Sequence, residues 1–241
     1  MKWSVAVTTC EKRRTTFLPR TLKSLAAAGF TDPHLHCDGI SAKFILPLDV
    51  NRRQANRATL RNPSVGAIGS WFLTLWQLWL TDPEADYYVL FQDDVVLCRN
   101  VREYLENSIG SPTLVGEGLP DNGYYNLYTD VANHNLLGTG GKPSKEYQGW
   151  YASDQTGRGA VALVFPRMAI PAILSWNEWI RESMRTSIDG LVSTALRHAN
   201  YVEYVHNPSL VQHVGNPSLL NHPFTQSPCF LGEEYNALQI G

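Results

Sequence analysis

Residues 87–97 read Tyr-Tyr-Val-Leu-Phe-Gln-Asp-Asp-Val-Val-Leu, an apolar run that two adjacent carboxylates interrupt. Such a run, rich in aromatic and β-branched residues, is typical of a strand buried on both faces of a mostly parallel sheet. Burying an unpaired carboxylate is so costly that Asp93 and Asp94 must reach solvent or meet a cation. In open α/β sheets, ligands bind beyond the carboxyl ends of the strands. The pair therefore indicates either a divalent-metal and ligand site or an ordinary strand-end turn.

The segments on either side of this strand alternate between strand and helix patterns. Strands are predicted at residues 2–9, 34–37, 45–50, 159–165 and 201–205. Helices are predicted at residues 17–28, after Ser64, at 101–109, at 171–181 and from residue 188, with Ser64 and Ser187 as N-caps. Residues 110–158 show little periodicity and predict a long binding loop. The fold class is therefore α/β, with a mixed, mostly parallel central sheet flanked by helices.

Composition fits an ordinary α/β protein. The chain has 241 residues, 44% of them apolar, and a net charge of −2, so it lacks the overall basic field of a nucleic-acid-binding protein. Charge is uneven, because residues 11–61 hold ten Lys or Arg and four acids. This excess suits either a phosphate-bearing ligand or a solvated helix face.

The cysteines and the hydropathy of the sequence predict where in the cell the protein lies. The four cysteines show no Cys-x-x-Cys spacing, which predicts free thiols and a cytoplasmic location. The uncharged stretch at residues 63–80 falls short of the ~20 apolar residues of a spanning helix, so no membrane span is predicted.

A second motif lies near the C-terminus, where residues 208–215 read Pro-Ser-Leu-Val-Gln-His-Val-Gly. Together with Phe91-Gln92-Asp93-Asp94-Val95 and the β-α order, it resembles GT-A-fold glycosyltransferases. The similarity is greatest to the N-acetylglucosaminyltransferase IV type, in which a Pro-Ser-Leu-x-Gln-His-Val-Gly run follows a Glu-Asp-Asp strand end. The resemblance covers mainly the central strand and residues 201–218. It departs from the family at Gln92, where the acidic triplet commonly begins with Glu.

The resemblance implies a GT-A (Rossmann-like) fold that moves a sugar from a nucleoside-diphosphate sugar, with a UDP-sugar favoured, to an acceptor hydroxyl. It implies a single domain over residues 1–241, with a nucleotide-sugar-binding part at 1–109 and an acceptor-side part at 110–241. It also implies that Asp94 and His213 hold Mn²⁺ or Mg²⁺, although His213 has a second interpretation, as a hydrogen-bonded, partly buried histidine. Contacts to the nucleotide-sugar are expected from Thr8, Thr9, Arg13, Arg14, Asp38 and Asp93, and diphosphate contacts also from Arg52, Arg53 and Arg57. Asp38 has a second interpretation, as part of an Asp-Gly turn.

An inverting transfer needs a carboxylate base opposite the leaving group, because the acceptor hydroxyl loses its proton as it attacks. Asp189, in the first turn of a predicted helix, is the candidate catalytic residue. The other interpretation of Asp189 is a first-turn acid stabilised by the helix dipole. Glu178 and Asp154 are the reserve candidates.

Two other functions fit parts of the pattern. A sugar nucleotidyltransferase also combines a Rossmann-like sheet with acids, but residues 1–20 contain no Gly-rich phosphate loop followed by Lys. A non-catalytic nucleotide-sugar-binding domain stays open because Gln92 replaces an acid. The acceptor is also open, between a glycan, a protein side chain, a small molecule and a hydroxylated nucleobase in DNA.

Overall fold

The computed structural model describes residues 1–40, 58–109, 122–176, 187–215 and 224–240. Several predictions fall outside these ranges: the strand at 45–50, the end of the helix at 171–181, and the candidate residues Arg52, Arg53, Arg57 and Glu178.

The described residues alternate between strands and helices, as the sequence predicts. The strands are β1 (Trp3–Cys10), β2 (His34–Asp38), β3 (Ala58–Arg61), β4 (Tyr87–Gln92), β5 (Val95–Leu97), β6 (Gly123–Asn126), β7 (Gly149–Ala152), β8 (Ala162–Pro166), β9 (Val202–Asn207) and β10 (Val211–His213). The α-helices are α1 (Leu18–Ala27), α2 (Gly66–Thr81), α3 (Val101–Ile109), α4 (Val131–Leu136), α5 (Ala169–Ser175) and α6 (Ile188–His198). Short 3₁₀ helices lie at Glu11–Arg13 and Ala237–Gln239.

Eight of these strands form one sheet, in the order β3-β2-β1-β4-β8-β6-β9-β7. Neighbours are parallel from β3 through β4 and between β6 and β9, whereas β8 and β7 run antiparallel to their neighbours. Six of the eight strands therefore share one direction. The predicted mixed, mostly parallel sheet flanked by helices is confirmed.

The central strand β4 is buried on both faces, as predicted. Val89 and Phe91 pack into the cluster that includes α1 and α3, and Tyr88 and Leu90 pack into the cluster that includes α2, α5 and α6. All four side chains are at most 1% exposed. This burial leaves only the carboxyl end of β4 for polar chemistry.

The stretch at residues 87–97 nevertheless does not form one strand. β4 ends at Gln92, the chain turns at Asp93 and Asp94, and β5 then pairs with β10 in a separate two-stranded antiparallel sheet. The Thr21 hydroxyl of α1 lies 2.7 Å from the Asp93 carbonyl oxygen and 2.9 Å from that of Val95, and it accepts from the Val95 N–H. These bonds satisfy the backbone of the turn inside the core.

Residues 122–158 correct a second expectation, since three short elements, β6, α4 and β7, interrupt the predicted loop. These elements are four to six residues long, and all four residues of β6 are buried, so neither strand alternation nor helical periodicity is visible in the sequence. The predicted N-cap at Ser187 is confirmed, because its side chain accepts from the Gly190 N–H. All four cysteines are free thiols. Within the described ranges, no helix combines the length and apolar character needed to cross a membrane.

We expect Thr21→Val to lower the free energy of unfolding by about 1–3 kcal/mol, because it leaves buried backbone groups of the turn without their partner. Urea denaturation measures the change. Thr81→Val is the matched control, since the Thr81 hydroxyl bonds the Gln77 carbonyl at the exposed end of α2. Equal effects of the two substitutions would contradict the role given to Thr21.

Candidate functional site

The candidate site lies at the carboxyl ends of β1 and β4. The register pairs Thr8 of β1 with Gln92 of β4, so Asp93 and Asp94 follow directly at this edge of the sheet. The pairing of β10 with β5 places His213 opposite Val95, next to the acids. The antiparallel pairing of β10 with β5 thus places the segment around His213 beside the carboxyl end of β4.

Asp94 and His213, the two predicted metal ligands, lie together. Nε2 of His213 is 3.0 Å from Oδ2 of Asp94, although the residues are 119 positions apart in sequence. The Val214 N–H donates to the Asp94 carbonyl oxygen at 2.8 Å, which fixes the two segments to each other. Asp94 is only 1% exposed.

The residues of the 208–215 motif have separate structural tasks. The Ser209 hydroxyl donates to the Val211 carbonyl at 2.7 Å and accepts from the Thr129 N–H at 3.0 Å. The Gln212 amide oxygen accepts from the Ser227 N–H at 2.8 Å. Gly215 packs so closely that a Cβ there would overlap Oδ2 of Asp94. The motif therefore places the His213 side chain and the Gly215 backbone against the buried Asp94 carboxylate.

Asp93 is fixed by two other elements. The Thr9 hydroxyl of β1 donates to Asp93 Oδ2 at 2.5 Å, and Arg13 Nη1 lies 3.4 Å from Asp93 Oδ1. Arg13 also pairs with Oδ2 of Asp94, and its guanidinium lies 5.3 Å from the centre of the Phe17 ring. Burial raises the pKa of Asp93 and outweighs the lowering by Thr9 and Arg13.

The surroundings of His213 favour its neutral form. Burial lowers its pKa, and the positive charge of Arg13 lowers it further, beyond what the Thr225 backbone and Asp93 restore. The neutral imidazole is the form of histidine that binds metals. The ring packs against Phe224, with 5.4 Å between the ring centres.

The side chains of Asp94 and His213 fit a divalent cation whose other ligands would come from a bound molecule and from water. Oδ1 of Asp94 is buried and has no hydrogen-bond partner within the described part of the chain. Such an oxygen calls for an explanation, and an ion can supply one. Carboxylate and imidazole suit Mn²⁺, and Mg²⁺ is often bound by one or two carboxylates plus phosphate oxygens and water. The described residues contain no group of three His, Cys, Asp or Glu that could enclose an ion.

Thr8, Arg14 and Asp38 also lie at or near this edge, with their side chains in protein contacts. The Thr8 hydroxyl is 3.4 Å from the Phe91 carbonyl, and Arg14 pairs with Glu11 at 3.3 Å. The nucleotide-sugar contacts expected of these residues stay predictions.

Asp38 shows why Ser64 is not the N-cap of α2. Oδ1 of Asp38 accepts from the Val65 N–H at 2.9 Å, and Oδ2 accepts from the Gly66 N–H at 3.0 Å and from the Ser64 hydroxyl. The N-cap position of α2 is Val65 and not the predicted Ser64. The Ser64 hydroxyl does accept from the Gly66 N–H at 3.3 Å, but the Asp38 carboxylate makes the shorter bond to the same amide.

Asp189 lies in the first turn of α6, where the sequence placed it. Its Oδ2 accepts from the Gly159 N–H at 2.7 Å. Two residues further on, the Val161 carbonyl accepts from the Gln92 N–H at 2.9 Å, and the Gln92 side chain bonds the Ala160 carbonyl. The segment 159–161 therefore links Asp189 to the strand end that carries the acid pair.

Asp154, a reserve candidate for the base, is hydrogen-bonded to residues of its own loop. It accepts from the Thr156 N–H at 3.0 Å and from Arg158 Nε at 3.2 Å. Although burial raises its pKa, these hydrogen bonds lower it more, and the net shift is downward. An acid with a lowered pKa is a weaker proton acceptor.

Glu203 is a buried acid that the sequence analysis missed. It is 2% exposed on β9 and accepts from the Ser153 hydroxyl at 2.6 Å and the Asn126 amide at 3.2 Å. Burial raises its pKa to about 7, and the negative charges of Asp154 and Asp189 add to the shift. The available signal was the acid at the second position of Val202–Asn207, a short strand with apolar neighbours.

Comparison with known proteins identifies the fold. No protein-family model matches the chain, and a search of curated protein sequences finds no match. The crystal structure of GalNAc-T7 with UDP, GalNAc and Mn²⁺ superposes with a TM-score of 0.56 and 9% identity, over 89% of this chain and 44% of that one. The chain has the GT-A fold.

Two TarS structures agree with this assignment. The crystal structure of S. aureus TarS gives a TM-score of 0.51 with 14% identity, over 90% of this chain and 37% of TarS. The crystal structure of S. aureus TarS 1-349 gives 0.54 with 13% identity, over 88% and 60%. The chain thus spans less than two thirds of each of these three structures. None of them is of the N-acetylglucosaminyltransferase IV type, so that closer resemblance stays a prediction.

We expect Gly215→Ala to destabilise the protein by roughly 1–3 kcal/mol, because the added methyl group must push the buried Asp94 carboxylate aside. Gly69→Ala is the control, since its methyl group meets only the Val65 side chain at 3.2 Å within α2. Urea denaturation compares the two variants. A Gly215→Ala protein as stable as Gly69→Ala would contradict the close packing on Asp94.

We expect Glu203→Gln to become more stable relative to the wild type as pH rises from 5 to 8. The pKa of Glu203 is about 7 in the folded state against an ordinary 4.5, so the folded state binds the extra proton and loses stability as pH rises through this range. The full difference is roughly 3 kcal/mol. Chemical denaturation at several pH values measures it, with Glu84→Gln at an exposed ion pair as the control. If the free energies of unfolding of Glu203→Gln and the wild type changed in parallel with pH, the raised pKa of Glu203 would be contradicted.

Proposed function

We propose that the chain is a metal-dependent, inverting glycosyltransferase that moves a sugar from a nucleoside-diphosphate sugar, with UDP-sugar favoured, to an acceptor hydroxyl. The observation that supports this most is the 3.0 Å approach of His213 to Asp94 at the carboxyl edge of a GT-A sheet. The similarity to GalNAc-T7, which was solved with UDP and Mn²⁺, supports the choice of donor and metal.

On the donor side, Asp94 and His213 would hold Mn²⁺ or Mg²⁺. The bound cation would neutralise the negative charge that develops on the departing diphosphate. Asp93 and Thr9, which are hydrogen-bonded to each other, face the same edge and would contact the sugar or ribose. Arg13 and Arg14 would add donors for the diphosphate oxygens. Thr8 and Asp38 would complete the nucleotide side.

On the acceptor side, Asp189 would act as the general base. The acceptor oxygen attacks the anomeric carbon, the bond from that carbon to the diphosphate oxygen breaks, and the hydroxyl proton passes to the carboxylate. The hydrogen bond from the Gly159 N–H holds one carboxylate oxygen of Asp189 in place. A carboxylate fixed in this way is oriented before the substrate arrives.

The proposal is tested first by binding and turnover of the donor. Thermal shifts across nucleotide-sugars with Mn²⁺ should single out UDP-sugars, since a ligand at 100 times its dissociation constant adds ~2.7 kcal/mol of stability. Donor hydrolysis should depend on Mn²⁺. Binding without hydrolysis would favour the non-catalytic binding domain, and pyrophosphate-dependent chemistry would favour the nucleotidyltransferase. A nucleobase acceptor in DNA would require DNA binding that weakens with salt.

We expect Asp94→Ala to abolish the Mn²⁺-linked stabilisation by UDP, and Asp189→Asn to keep that stabilisation while transfer falls by a factor of about 10²–10⁴, the usual contribution of a general base. Thermal shift and a transfer assay measure the two effects separately. Glu84→Gln, in an exposed ion pair with Arg167, is the control for loss of one acid. Full turnover by Asp189→Asn would mean that another residue is the base.

A further inference from the structure

Arg13 pairs with both members of the acid pair. Its Nη1 pairs with Oδ2 of Asp94 and lies 3.4 Å from Oδ1 of Asp93. The three side chains are largely buried, with 11% of Arg13, 6% of Asp93 and 1% of Asp94 exposed. The guanidinium thus supplies one positive charge to two carboxylates that are buried side by side.

The same carboxylate oxygen is shared with the proposed metal ligand. Oδ2 of Asp94 contacts both Arg13 and Nε2 of His213. A divalent ion bound to Asp94 and His213 would therefore lie within a few ångströms of the guanidinium. Two positive charges at that distance repel strongly in a partly buried site. Gly215 covers the acid closely, which restricts the room for both cations at once.

We propose that Arg13 is the resident counter-cation of the acid pair, and that metal binding displaces it from Asp94 toward the diphosphate of the donor. This inference rests on the proposed function. It makes metal and diphosphate binding cooperative, because the diphosphate gives the displaced guanidinium a new anionic partner. The metal alone binds weakly, and the metal with UDP binds well.

The backbone of Arg13 is fixed by hydrogen bonds, so its side chain can move alone. The Arg13 carbonyl accepts from the N–H groups of Thr16 at 3.2 Å and Phe17 at 3.1 Å, so its backbone is anchored at the start of α1. Its guanidinium lies 5.3 Å from the centre of the Phe17 ring, at the rim of the site. Rotation about the side-chain bonds moves the charge without refolding the loop.

The test is Mn²⁺ binding by titration calorimetry, with and without UDP. For Arg13→Gln we expect Mn²⁺ alone to bind at least about tenfold more tightly than to the wild type, since a neighbouring positive charge is gone. We also expect the gain in Mn²⁺ affinity caused by UDP to shrink. Arg13→Lys should behave like the wild type. Arg20→Gln, in a surface pair with Glu233, controls for the loss of one positive charge.

Unchanged or weaker Mn²⁺ binding by Arg13→Gln, relative to Arg20→Gln, overturns the inference. A second measurement covers the case in which Arg13→Gln does not fold. In wild-type protein, Mg²⁺ at a saturating concentration should shift the Arg13 side-chain ¹⁵N resonance and remove its protection from exchange, and an Arg13 unperturbed at saturation also overturns the inference. If Arg13→Gln gains Mn²⁺ affinity but no donor is bound or hydrolysed, the proposed function fails and the competition between cations stands.

Discussion

The structure depends on burying two adjacent carboxylates at the end of its central strand. Asp93 and Asp94 are both buried, directly after a strand that both core clusters cover. The desolvation of two acids is tolerable only if each meets charge or hydrogen-bond donors. The protein supplies them from separate parts of the chain: Thr9 lies in β1, Arg13 in the 3₁₀ helix that follows β1, and His213 at the end of β10. The local fold at this edge is therefore organised around the acids.

The C-terminal motif is the most distant part of this arrangement. β10 pairs with β5, the short strand that begins immediately after the acids, and so extends the central strand into a second small sheet. Gln212 ties β10 to the segment at Ser227, and Gly215 closes over Asp94. Closing a loop between positions so far apart in sequence costs conformational entropy. The site is complete only with the segment that carries His213 in place.

Much of the fold could be predicted from the sequence, because long elements with regular burial leave a periodic pattern. The bounds of α3 match the prediction, and those of β1 and α1 differ by about one residue. The elements between 122 and 158 were missed, because they are too short to show a period. The convergence of Asp94 and His213 was expected from the resemblance to glycosyltransferases. Three contacts could not be predicted from the sequence, because each depends on distances between elements. They are the ion pair of Arg13 with the two acids, the hydrogen bonds of Asp38 at the start of α2, and the hydrogen bond of Glu203 with Ser153.

Pulsed electron paramagnetic resonance of the Mn²⁺-loaded protein with UDP tests directly whether Asp94 and His213 bind one divalent ion, as we propose. We expect a ¹⁴N coupling from one histidine ligand to Mn²⁺, lost in His213→Ala and kept when His198, on the last turn of α6, is replaced by Ala. A bound Mn²⁺ without nitrogen coupling, or a coupling that persists in His213→Ala, would contradict it.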